Sequence, residues 1–196
     1  MLAEWSVECS AEDPVLVVPW KDPDGSAAFV DLRANPCGFD SIPEAEQYPP
    51  LMQALRALNA ARSPVFPAKC DAWPMDGEER NNLQVNLDIP PAQAPAGFAC
   101  YIDLVWRERS LFTSFPRHEQ LLRRLTRRSA PLDHPAAVLD CVLRPALVDL
   151  DGPREGYALS LYVKALGADR QTAFEEWGAA LDAVVALVRG RGFSRC

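Results

Sequence analysis

Four aspartates, Asp31, Asp71, Asp103 and Asp140, stand in short segments where apolar and polar side chains alternate. Paired carboxylates serve as general acid and base, or hold a hard divalent cation that prefers oxygen ligands. Either use needs them on one surface. Successive side chains of a strand point to opposite faces, so the alternation can be read residue by residue. It sets Phe29, Asp31 and Arg33 against Val30 and Leu32, and Lys69, Asp71 and Trp73 against Ala68, Cys70 and Ala72. Tyr101, Asp103 and Val105 oppose Ile102, Leu104 and Trp106. Asp140 and Arg144 oppose Leu139, Cys141 and Leu143, while Ser160, Tyr162 and Lys164 oppose Leu159, Leu161 and Val163.

The apolar sets belong under helices. The others form a second face, and its expected ligand-binding residues are Asp31, Arg33, Lys69, Asp71, Trp73, Tyr101, Asp103, Asp140, Arg144 and Tyr162. Such a face can be a solvated layer of cross-strand ion pairs. It can also be a homodimer contact, for which Phe29, Trp73, Tyr101 and Tyr162 are suitable anchors. A third use is a ligand pocket, in its narrowest form a divalent metal on Asp31 and Asp103 for phosphoryl chemistry. No glycine-rich phosphate cradle accompanies them, so no cofactor or metal is assigned and no catalytic residue is named.

The remaining reactive side chains read as structural. Cys70 alternates with apolar neighbours, as a buried and inert thiol does. His118 shares a helical stripe with Leu121, Leu122 and Leu125, and His134 lies in a loop with no partner in view. No G-x-S-x-G elbow is present.

The elements that must position these residues follow from period and punctuation. Strands are expected at 5–9, 15–20, 28–33, 64–73, 83–89, 98–107, 136–150 and 157–165, with a break at Pro145. Ser41-Ile42-Pro43-Glu44 has the form of a capping box, and Pro49-Pro50 interrupts or restarts the helix. Residues 90–97 are a proline-rich connector. Helices are expected at 116–128 and at 170–189, the latter capped by Asp169 and stopped by Gly190 and Gly192. The order from residue 28 predicts a ferredoxin-like βαββαβ core, with extra N-terminal strands and a C-terminal ββα extension. That is an α+β domain spanning 1–196, with a mainly antiparallel sheet and helices on one face. Residues 28–73 and 100–144 read as an internal duplication, since Phe29-Val30-Asp31-Leu32 parallels Tyr101-Ile102-Asp103-Leu104.

Composition narrows the class. The chain has 196 residues and a net charge of −7, against the basic surplus of a non-specific nucleic-acid binder. No apolar run is long enough to span a bilayer, so neither nucleic acid nor membrane is an expected partner. Six scattered cysteines without a C-x-x-C pair read as free thiols in a reducing compartment, and a cytoplasmic location is expected. Arginine, alanine and proline usage suggests a GC-rich bacterial genome. Residues 101–128 carry seven Arg against three acids, a net of +4, whereas residues 1–50 carry a net of −8. The Arg side of helix 116–128 could therefore dock an acidic protein. The functional expectation is a non-catalytic binding or assembly module that self-associates through the polar and aromatic face. The alternative is a small-molecule or phosphoester-processing enzyme using those carboxylates.

Overall fold

The computed structural model describes residues 1–190; Gly192 and Cys196 lie outside them. The described residues form one mostly antiparallel sheet with six α-helices. The strands are β1 (Leu2–Val7), β2 (Leu16–Val18), β3 (Val65–Pro74), β4 (Ala96–Trp106), β5 (Ala137–Asp149) and β6 (Pro153–Gly167). The helices are α1 (Pro43–Gln47), α2 (Pro49–Asn59), α3 (Gly77–Leu87), α4 (Arg109–Phe112), α5 (Phe115–Ser129) and α6 (Arg170–Arg189). The sheet order is β1-β5-β6-β4-β3, and β2 also pairs with β5. The β1–β5 and β2–β5 pairings are parallel and the rest antiparallel.

The α+β class and the antiparallel character agree with expectation, but the ferredoxin-like strand order is not the one found. Two predicted strands are missing. Residues 28–33 form a single bridge and turns, so the first unit of the supposed duplication lacks its opening strand. Residues 83–89 are largely helical, because Asp76 accepts a hydrogen bond from the Glu79 amide (2.9 Å) and starts α3 at Gly77. The Ser41–Glu44 capping box does not form: Ile42 occupies the N-cap of α1 and no side chain bonds there. Asp169 does cap α6, accepting from the Thr172 amide at 2.8 Å.

Pro145 does not break β5. The strand pairs with β6 in continuous register from Ala137 to Asp149, with Pro145 opposite Tyr157. On its other side, β1 pairs only as far as Leu143 and β2 begins at Ala146. Pro145 falls in the gap between them, where no partner asks for an amide hydrogen.

One sheet face carries Cys100, Ile102, Leu104, Leu139, Cys141, Leu161 and Val163, all buried in the main core with residues of α2, α5 and α6. The helices do not keep to one face, however. Leu83 of α3 packs with Met75, Ala99, Val138 and Leu166, which belong to the opposite side of the sheet. That helix borders one end of the polar face. β3 is an edge strand, and Pro67, Pro74 and a register shift between Pro67 and Lys69 blunt it. No helix among the described residues is long and apolar enough to cross a membrane.

Candidate functional site

The polar face is built as rungs across the strands. One rung runs Glu4, Asp140, Tyr162, Tyr101, Asp71, each directly opposite the next. The adjoining rung runs Ser6, Val142, Ser160, Asp103, Lys69. A third brings Val138, Lys164, Ala99 and Trp73 together. Three of the four aspartates, Asp71, Asp103 and Asp140, thus share one side of the sheet.

Asp31 does not join them. It lies in the turn region before α1, where Arg33 grips it bidentately with both contacts at 3.0 Å. That hydrogen bonding lowers the Asp31 pKa. Arg33 also reaches Asp151 at 3.2 Å and stacks on Phe66, so it belongs to a clamp at the β5–β6 hairpin. The proposed metal pair of Asp31 and Asp103 is therefore not formed, and no group of three or more potential ligands gathers among the described residues.

On the face itself, the charged groups are partnered. Lys164 Nζ meets Asp140 at 2.8 Å. Arg144 Nε donates to Glu8 at 2.8 Å, and its guanidinium lies 5.7 Å from the Tyr162 ring centre. Asp71 accepts from the Ala72 amide at 2.7 Å. Lys69 rests over the Trp20 ring at 5.1 Å. Trp73, Tyr101 and Tyr162 form an aromatic row with ring centres 6.3 and 5.8 Å apart, and the Trp73 indole donates to Glu79 of α3.

Asp103 is the buried exception, only 5% exposed, and it accepts a hydrogen bond from the equally buried Ser160 hydroxyl. Burial raises its pKa, while Ser160, Arg144 and Lys69 pull the other way. Burial, then Asp103 and Asp71, raises the Tyr101 phenol. Because the folded-state pKa of Asp103 lies above its unfolded value, the native protein binds more protons through that interval. Its contribution to stability is complete below the ordinary carboxylate range and is lost as pH rises through the raised value. Asp103→Asn keeps an acceptor for Ser160 and cannot ionise. Urea midpoints from about pH 4 to about pH 8 are expected to fall less steeply in the variant than in the parent, with the variant at least as stable at neutral pH. Parallel curves would mean that Asp103 ionises as freely folded as unfolded.

Glu8 and Ser160, which are outside the expected ligand-binding set, partner two of its members, Arg144 and Asp103. Ser160 was already placed on this face by alternation; Glu8 lies past the end of β1, and only the β1–β5 pairing brings it to Arg144. Cys70 points to the helical side, and burial raises its thiol pKa, as expected of an inert cysteine. Cys9, Cys37, Cys70, Cys100 and Cys141 are free. His118 is buried between Trp106 and Tyr157 with Nδ1 2.9 Å from the Ser114 carbonyl, and burial lowers its pKa. His134 does have a partner, Glu176, at 3.2 Å. On α5, Arg123, Arg124, Arg127 and Arg128 share one surface; Arg123 pairs with Glu119 and stacks on Trp5.

No protein-family model matches the chain, and searches of curated proteins and of solved structures give no significant match.

Proposed function

We propose that this chain is a non-catalytic binding module that self-associates through its polar and aromatic sheet face. The carrying observation is that the patch is close to electrically neutral in a chain of net charge −7. Lys69, Arg144 and Lys164 stand against Glu4, Glu8, Asp71 and Asp140, one acid in excess, and Asp103 is buried. Two copies repel one another over most of a net-negative surface, but a balanced patch can meet its own image. Arg144 with Glu8 and Lys164 with Asp140 are already paired within the chain, so covering these ions strands neither pair. Trp73, Tyr101 and Tyr162 supply wide, half-buried contact area of the kind that dominates interface energetics.

The test is molar mass by light scattering across a concentration series. The parent is expected to dimerise, and Tyr101→Asp, which sets a carboxylate beside Asp71 and Asp103, is expected to weaken the dimer about 100-fold or more. Lys164→Glu, which sets a second carboxylate beside Asp140, should weaken it as well. A parent that stays monomeric throughout, or variants that dimerise as the parent does, would overturn the reading.

A second reading keeps one supporting observation. Asp103 is buried among the sheet strands, and burial raises its pKa, the direction a general acid needs, so a small-molecule or phosphoester-processing enzyme would act through it. It is sealed under its neighbours, however, and the three other nominated carboxylates are held by Arg33, Lys164 or a backbone amide. The Arg surface of α5 remains the proposed place for an acidic protein partner, and strong salt dependence of such binding is its expected signature.

A further inference from the structure

Beside the edge of β3 lies a cleft that the sheet-face reading does not use. One wall is a small hairpin of residues 20–29. Its two sides are tied by Phe29 N–H to the Trp20 carbonyl and Asp22 N–H to the Ala27 carbonyl, each at 2.9 Å, with Gly25 at positive φ in the turn. The hairpin is fastened to β3 by the Trp20 indole, which donates to the Ala68 carbonyl at 2.8 Å. The opposite wall is the start of α1, and Leu55 of α2 also lines the space. The cleft measures about 390 Å³, within the range of small-molecule sites. Phe29, Val30, Leu32, Ile42 and Leu55 make it largely apolar.

Its polar groups are few and mostly of one kind. Glu44 lines the cleft and makes no ion pair among the described residues. Its carboxylate is close enough to the Cys70 thiol to add to the rise that burial causes there. The edge of β3 adds an acceptor. Met75 N–H bonds to the Gly97 carbonyl, so after the register shift that follows Pro67 the odd-numbered residues of β3 turn their peptide groups toward β4 and the even-numbered ones turn outward. Of these, the Ala68 carbonyl is taken by Trp20 and the Ala72 amide by Asp71. By the same alternation the Cys70 carbonyl between them turns outward at this edge, and Cys70 lines the cleft. Two cations stand nearby: Lys69 is drawn onto the Trp20 ring, and Lys21 lies beside Gly25 in the turn of the hairpin. Residues 20–46 as a stretch carry six acids against Lys21 and Arg33.

We propose that this cleft binds a small apolar molecule bearing an ammonium group, with the cation held by Glu44 and the Cys70 carbonyl and the apolar body seated between the hairpin and α2. Such a ligand satisfies the Glu44 carboxylate and the open acceptor together. An apolar carboxylic acid of equal size would fill the same space and meet Glu44 with like charge.

Three probes of one length separate the terms: hexylammonium, hexanoate and hexanol, titrated calorimetrically into the full chain. Hexylammonium is expected to bind saturably at one site per chain, about tenfold or more tighter than hexanoate. Glu44→Gln should lose about that factor for hexylammonium while hexanol binds as before, which also shows that the variant keeps its cleft. Equal affinity for hexanoate, an unchanged Glu44→Gln, or absence of any heat of binding overturns the proposal.

Discussion

Trp177→Ala is expected to cost about 3–5 kcal/mol of unfolding free energy, in the range for emptying a large buried aromatic site. The indole is fully buried in α6, and its ring centre lies 4.6 Å from that of Phe98 and 5.4 Å from that of Phe174. Tyr48 meets the same cluster edge-on, so one side chain ties α2, β4 and α6. Rings at several angles cannot slide together to refill the space, and most of a cavity should persist. Urea denaturation followed by circular dichroism measures the loss; Trp177→Phe should lose clearly less. A loss below about 1 kcal/mol for the alanine variant would mean that α6 is not packed on this face of the sheet. The consequence reaches the proposed interface, because Phe98 and Tyr101 lie on opposite sides of β4. A tight lid over Phe98 is what leaves Tyr101 and Asp103 to face away.

The polar face was legible because β3, β4, β5 and β6 keep strict alternation, and each puts Asp, Tyr, Lys or Arg on one side and Leu, Val, Ile or Cys on the other. Period 2 is a local signal, and it survives whatever the strand order turns out to be. Asp31 was misplaced for the same reason. Residues 28–33 alternate as well as any strand, but no neighbour pairs with them beyond one bridge, and Arg33 curls back to Asp31 instead. Alternation reports that a segment could lie on a pleated surface, whereas membership of a sheet is decided by partners far away in sequence.

The 83–89 segment shows the reverse error. Leu83, Val85, Leu87 and Ile89 alternate, yet Val85 is 78% exposed on α3. The start signal for that helix was present as Asp76 followed three residues later by Glu79, and the longer apolar pattern masked it. The parallel β1–β5 pairing was hidden for a third reason. More than 130 residues separate Ser6 from Val142, and nothing in β1 names its partner. That pairing carries Glu8 to Arg144 and so gives this cation of the patch its ion-pair partner.

Gly167→Ala is expected to destabilise the fold by about 3 kcal/mol or more, although it adds one methyl group. Gly167 ends β6, and a Cβ built there would stand 2.2 Å from the Ala173 backbone nitrogen and 2.8 Å from the Thr172 carbonyl carbon. Those atoms belong to the first turns of α6, whose start is pinned by Asp169. Neither backbone can yield separately. Moving the helix would pull Trp177 from its cluster, and moving the strand would disturb the pairing of Gly167 with Ala96. The strain should therefore spread along both elements instead of being relieved by a rotamer change. Thermal melts of Gly167→Ala beside Gly152→Ala make the comparison sharp. Gly152 has positive φ in the β5–β6 turn with nothing near its missing Cβ, so there an alanine meets backbone strain alone. The Gly167 variant is expected to melt well below the Gly152 variant. Equal melting temperatures would show that β6 and α6 stand further apart than this contact requires, and the seating of α6 on the covered face would need revision.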